Sequence, residues 1–219
     1  DLEQDSRPPV LGSVHVGPGS DPPRARALIV AGVRETFEEA GVLLAVDRSG
    51  RPAAPDGDWA RDRQLSESSA AFPTVLARRR LTIQADGLVP VAHWITPEVE
   101  ARRYDTRFLV AALPSGQEVD AHATETDSAH WVVPAQALAE HWAGRLAMLP
   151  PTVAVLDDLA GQRSVGDALS WARTREVVPL MPRAQMSGAD LQWVLVHGYT
   201  GEVLAPSDQP AGSEERGTR

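Results

Sequence analysis

Cysteine is absent from the 219-residue chain. That excludes a disulfide framework, a thiolate nucleophile and a zinc site built on cysteine. Lysine is absent as well, so all 21 basic residues are arginine. A P-loop lysine and a Schiff-base lysine are thereby ruled out. Asparagine is missing too. An Ala- and Arg-rich chain without Lys or Asn reflects a GC-rich coding bias, which bears on origin and not on function. Positive charge is outnumbered: 21 basic against 30 acidic residues give a formal net charge of -9. Non-specific nucleic-acid binding relies on basic patches and is disfavoured. A phosphorylated small molecule stays compatible, because a metal can bring the positive charge. No apolar run approaches the roughly 18 residues of a membrane-spanning helix, and no signal-peptide pattern opens the chain. The expectation is a cytoplasmic protein that engages neither nucleic acid nor membrane. The six histidines, His15, His93, His122, His130, His141 and His197, show neither H-E-x-x-H nor H-x-x-E-H spacing, so they form no zinc motif.

What is present allows one generous domain, or a domain with an extension. Residues 1–23, rich in Pro, Gly, Ser and Asp, read as an irregular insertion or linker. Pro22 and Pro23 stand ahead of a helical pattern. From Arg24 to Ala40 the apolar residues Ile29, Val30, Val33, Phe37 and Ala40 recur mostly at spacings of three and four, the mark of one buried helix face. Gly41 stands where a helix-ending residue belongs. Arg61 to Arg80 reads as helical, with Pro73 a point at which it splits and Arg78-Arg79-Arg80 suited to the helix dipole. Val89 to Ile95, Arg107 to Leu113 and His130 to Val133 read as strands. The second is a continuous apolar run, as in a strand covered on both faces. Pro134 to Leu146 and Thr152 to Arg173 read as helices, and Leu191 to His197 as a last strand. The polar tail from Pro206 reads as disordered. Helices mixed with strands predict an α/β layered domain over 24–205, with a helical C-terminal extension and a tail at 206–219.

The segment with the most chemistry is Arg34-Glu35-Thr36-Phe37-Glu38-Glu39-Ala40-Gly41-Val42. Glu38 and Glu39 follow Glu35 by three and four positions, so a helix gathers the three carboxylates on one side, away from Ile29, Val33 and Phe37. Close carboxylates repel, which costs stability and raises their pKa values. A hard divalent cation relieves the repulsion, and Mg²⁺ or Mn²⁺ prefers such oxygen ligands. Arg34, four residues before Glu38, is placed to orient a carboxylate through paired hydrogen bonds. The competing explanation is a solvated acidic face with intrahelical ion pairs.

This segment resembles the second half of the Nudix box, R-E-U-x-E-E-x-G-U with U aliphatic. Thr36 departs from the aliphatic position. The first half is not found: its glutamate position falls on Arg26 and its glycine position on Ser20, with Gly19 adjacent. The longer string, continued by Leu43-Leu44, resembles the coenzyme A diphosphatase-like branch of Nudix proteins and its bacterial relatives, in which an insertion separates the two halves of the box. Residues 1–23 look like that insertion. Trp94-Ile95-Thr96-Pro97, Arg103 to Phe108, Trp131 and Leu149-Pro150-Pro151 agree with the same branch. The resemblance spans roughly residues 24–160.

The resemblance implies an α/β/α sandwich with a mixed sheet. It also implies Mg²⁺- or Mn²⁺-dependent attack of water on the diphosphate of a nucleoside diphosphate derivative, such as coenzyme A or an acyl-coenzyme A. On it, Glu38 and Glu39 are metal ligands, and Glu35 is a further ligand or the water-activating base, held by Arg34. It also implies that an opening strand and a glycine-rich loop precede Asp1. A small-molecule partner follows, and a homodimer is compatible.

Glu125 and Asp127, ahead of Trp131, are candidate auxiliary acids or part of a polar loop. Tyr104-Asp105-Thr106 reads as a brace for the sheet. Arg102, Arg103 and Arg107 read as phosphate contacts or as solvated surface. Two alternatives to an enzyme stay open here. One is a nucleotide-binding or regulatory module that keeps the fold without turnover, in line with the missing half-box. The other is a helical interaction protein with an accidental acidic face.

Overall fold

The computed structural model of the protein describes residues 8–17, 19–120, 131–187 and 190–204. The fold is α/β, with helices and mixed sheets, and it forms two compact units: Asp1–Val89 with Ala111–Trp131, and Pro90–Val110 with Val132–Arg219.

The first unit is organised by α1 (Pro22–Ala40). Asp21 caps its start by accepting the Arg24 N–H at 2.8 Å. Pro22 and Pro23 occupy first-turn positions that need no N–H partner. Its buried stripe is Ala25, Ile29, Val33 and Phe37, the last three fully buried. Gly41 ends it in the left-handed region, φ 68°, where its N–H reaches Phe37 O. Then come β2 (Ala45–Val46), α2 (Trp59–Ser66), α3 (Phe72–Arg79) and β3 (Thr82–Gln84). Ahead of α1 lies β1 (Val10–Leu11), which pairs in parallel with Ile83 and Gln84 of β3, while β2 pairs antiparallel on the other side.

One expectation changes here: the stretch 1–23 is not wholly irregular, because β1 joins the sheet and Val16 is buried. The helical span 61–80 splits at Pro73 as expected, into two helices with Pro73 in the first turn of α3. Arg78 and Arg79 do more than complement a dipole: both bind Asp62, which is fully buried in α2. Arg79 also reaches Asp56 at 2.7 Å and lies over the Trp59 ring. A buried carboxylate is tolerated when it is paired in this way.

The second unit carries β4 (Val89–Ile95), β5 (Asp105–Val110), α4 (Pro134–Trp142), α5 (Pro150–Ala160), α6 (Val165–Thr174), β6 (Pro179–Ser187) and β7 (Asp190–His197). The sheet order is β5-β4-β6-β7, with β4 parallel to β6 and β6 antiparallel to β7. Its core gathers Ala92, Trp94, Ala154, Leu180 and Leu195, with Phe108, Val155 and Leu204 against them.

The strand covered on both faces is β4, buried from Val89 to Trp94, and not the run that begins at Arg107. The latter belongs to β5, an edge strand whose apolar residues stay half-buried and which stops at Val110. Trp131 to Val133 form no strand; all three are exposed, and Pro134 starts α4 directly after them. A residue before proline is held extended whether or not it pairs, so β-branched residues there mimic a strand signal. His130 lies outside the described residues, as does the tail from Pro206. The C-terminal part carries the helices α5 and α6, and after them β6 and β7 complete the sheet. Pro179 and Pro182 hide β6 from a pattern reading, because proline argues against an interior strand. Among the described residues no helix is long and apolar enough to cross a membrane.

Phe37 anchors α1 and meets the Trp59 ring edge-on at 5.0 Å between centroids. Phe37→Ala is expected to lose about 3–5 kcal/mol in urea unfolding, and Phe37→Leu less than about 1.5 kcal/mol. A loss below 1 kcal/mol (about the size of a surface change) in the alanine variant would show that α1 is anchored elsewhere.

Candidate acidic site on the first helix

With Phe37 turned into the core, the last two turns of α1 carry Glu35, Glu38 and Glu39 on their outer side. The three are not equivalent. Glu35 is 58% exposed and Glu39 is exposed, whereas Glu38 is only 17% exposed. Arg34, itself mostly buried, sits between two of them. Its Nη1 donates to Glu38 Oε1, and its Nη2 donates to Glu35 Oε1 at 3.3 Å. The same Nη1 lies 3.5 Å from Ser66 O at the end of α2. The guanidinium thus spans two carboxylates, with one bond to each, instead of making paired hydrogen bonds to one. Thr36, at the position where an aliphatic residue was expected, turns its hydroxyl back to Gly32 O at 2.7 Å, so it satisfies itself within the helix.

The chain after Gly41 is held by one buried amide. Gln117 accepts from Leu43 N–H at 2.9 Å and donates to Leu43 O at 3.0 Å and Ala53 O at 2.8 Å. A cleft of about 480 Å³ opens beside it, lined by Gly41, Trp59, Gly116, Gln117, Glu118 and Asp120 among others. Neither Gln117 nor the cleft was signalled by sequence, since the partners of Gln117 lie more than sixty positions away.

Glu125 and Asp127 lie outside the described residues. Among the described residues no three acids or histidines gather closely enough to form a ready metal site. The carboxylates share a helix face without converging, and Arg34 occupies two of them. In the second unit, Asp105 braces the sheet as expected, accepting from Arg107 at 2.7 Å and lying 2.5 Å from His93 Nε2. Arg107 is buried, and Arg103 donates to Thr96 O at 3.0 Å. Arg107 is therefore neither solvated surface nor an open phosphate contact, whereas Arg102 and Arg103 are exposed and fit the solvated-surface reading. His93 is a lone histidine in an apolar strand and carries no spacing signal in the sequence.

Residues 2–159 match the family model described as the NUDT19 Nudix domain. The chain is 24% identical over 238 aligned residues to the acyl-coenzyme A diphosphatase NUDT19 of Xenopus laevis, covering 97% of this chain and 60% of that protein. It is 27% identical over 191 residues to the Gallus gallus protein of the same name, covering 78% and 50%. It is 29% identical over 131 residues to the putative nudix hydrolase 7 of Caenorhabditis elegans, covering 60% and 43%. The chain thus spans about half the length of the curated relatives it matches. The crystal structure of a NUDIX hydrolase from Alicyclobacillus acidocaldarius superimposes with a TM-score of 0.62 at 27% identity, over 70% of this chain and 69% of that one.

Burial pushes the Glu38 carboxyl above its ordinary value; the Arg34 contact pulls it back, and the charges of Glu35 and Glu67 add to the rise. A carboxyl with a raised pKa holds its proton more tightly in the fold than in the unfolded chain. Its contribution to stability is therefore full below the ordinary glutamate range and is lost as pH rises through the raised value. In metal-free protein, Glu38→Gln is expected to be more stable than wild type at about pH 7 and to match it in acid, where Glu38 is protonated. Thermal unfolding at several pH values measures this; a variant less stable than wild type at neutral pH would mean that the Arg34 pair outweighs burial.

Proposed function

The chain belongs to the family of the NUDT19 Nudix domain, and from that premise we propose that it hydrolyses the diphosphate linkage of a nucleoside diphosphate derivative, with coenzyme A or an acyl-coenzyme A the leading substrate. The observation that carries this reading is the carboxylate face of α1, anchored behind by Phe37, with Glu35 and Glu39 outward and Glu38 on the flank. The substrate class follows from the activity for which these relatives are named, acyl-coenzyme A diphosphatase.

The donor set fits Mg²⁺ or Mn²⁺: carboxylate oxygens, no sulfur, and in Glu38 a charge that its own surroundings oppose and a dication would favour. Glu38 and Glu39 would hold the cation, with Glu35 a further ligand or the base. When bound, the cation neutralises the diphosphate and lowers the pKa of water at the site.

The chain's own residues do the rest. Arg34 keeps the Glu38 carboxylate aimed and, in the metal-free protein, screens it from Glu35. Glu35, the most exposed of the pair that Arg34 holds, is free to turn toward water and take its proton; Glu125 is the alternative base. The products are two monophosphates, which for a coenzyme A substrate are a phosphopantetheine-type and an adenosine bisphosphate product.

The test is a hydrolysis panel with Mg²⁺ and with Mn²⁺ over coenzyme A, acyl-coenzyme A, dinucleoside polyphosphates, NADH and nucleotide sugars. Cleavage of coenzyme A or its acyl form is expected. Glu38→Gln and Glu39→Gln should depress kcat far more than KM, because the lost interaction matters most in the transition state. Loss of the base, tested as Glu35→Gln against Glu125→Gln, should cost on the order of 10²- to 10⁴-fold. A protein that binds coenzyme A and Mg²⁺ yet turns over no member of the panel is a nucleotide-binding module instead.

A further inference from the structure

An α-helix leaves its last four carbonyl groups without partners of its own. At the end of α1 each of them is met. Gly41 N–H donates to Phe37 O at 3.0 Å, and Asp120 N–H donates to Ala40 O at 2.9 Å. The two between are both taken by Arg63 of α2: its Nε donates to Glu38 O at 2.8 Å, and its Nη2 donates to Glu39 O at 2.9 Å. One residue further on, Trp59 Nε1 donates to Gly41 O at 3.0 Å. Arg63 is fixed from behind, with Nη1 donating to Asp120 Oδ2 at 2.9 Å and only 13% of its side chain exposed.

The placement answers an electrostatic problem. Glu38 and Glu39 stand at the negative pole of the helix dipole, where acids are unfavourable and cations are favoured. Helix α1 has no basic residue in its last turn, so Arg63 brings the cation from α2. Its bonds run to main-chain oxygens and to Asp120, which leaves the carboxylates of Glu38 and Glu39 to other partners. The fit is tight: a Cβ at Gly41 would lie 3.3 Å from Asp120 Cβ and 3.4 Å from Arg63 Nη1.

Resting on the metal-dependent reading above, the geometry points to Arg63 as a positioning residue for Glu38 and Glu39. It fixes the last turn of the acidic helix through the main chain and offsets its charge, so that both carboxylates are held in place for a divalent cation. A planar guanidinium can bridge two carbonyls and a carboxylate at once; a lysine ammonium brings the charge without that fork.

The experiment compares wild type, Arg63→Lys and Arg63→Ala in the full chain. Mn²⁺ binding is followed by electron paramagnetic resonance, and amide hydrogen exchange is followed at residues 38–41 in metal-free protein. Both variants are expected to exchange faster there and to bind Mn²⁺ more weakly, on the order of 10- to 100-fold for Arg63→Ala. Arg63→Lys should recover thermal stability but not Mn²⁺ affinity. Faster exchange with wild-type Mn²⁺ affinity would make Arg63 a helix cap only, and lysine restoring full affinity would reduce its part to charge; either overturns the inference. If Arg63→Ala fails to fold, Asp120→Ala removes the outer anchor while keeping the guanidinium, and unchanged Mn²⁺ affinity in that variant overturns it as well. Wild type that binds no Mn²⁺ fells the metal reading itself, whereas wild-type binding with indifferent variants fells only the role of Arg63.

Discussion

Everything at the candidate site depends on the burial of Phe37 at the end of α1. Its ring is fully buried and meets Trp59 edge-on, and burial of an aromatic side chain is worth several kcal/mol (about 3–5 on truncation). That one anchor sets the rotation of the last two turns. Once Phe37 faces inward, Glu35 and Glu39 must face outward, and Glu38 is carried to the flank, where it is only 17% exposed. The acidic face is the geometric complement of the apolar stripe.

The cost of this arrangement is local and is met by two arginines acting on different atoms. Three acids near the negative end of a helix repel each other and the dipole. Arg34, on the helix itself, binds the side chains of Glu35 and Glu38. Arg63, from α2, binds the main-chain oxygens of Glu38 and Glu39. The first contact lies along one helix face and competes with any cation for the same carboxylate oxygens. The second does not compete, which is why the two arginines are not redundant. The chain has no lysine, and arginine is the residue whose fork suits both tasks.

The second unit follows the same rule of charge held by charge. Arg107 and His93 are buried and share the Asp105 carboxylate. A polar cluster of this kind locks strand neighbours through hydrogen bonds that are expensive to leave unmade. Around it β4 is buried at nearly every position and packs its Trp94 with Leu180 of β6 and Leu195 of β7. The apolar run of β5 misled the pattern reading, because the period of a sequence tells which residues avoid water but not which strand takes the centre of a sheet.

The sequence by itself determined α1, from its proline start to its glycine stop, together with the burial of Ile29, Val33 and Phe37 and the placement of three glutamates on the other side. These are properties of a 3.6-residue period and of capping, which act over a few neighbours. It also carried the family, through the string from Arg34 to Val42. The tertiary structure alone decided what holds that helix end: Arg63, Trp59, Gln117 and Asp120 reach it from positions 18 to 80 residues beyond the atoms they bind. It also decided that β4 and β6 take the interior of their sheet, despite two prolines in β6. Such contacts form only after the chain has closed long loops, and no local pattern records which donor will meet which carbonyl when it does.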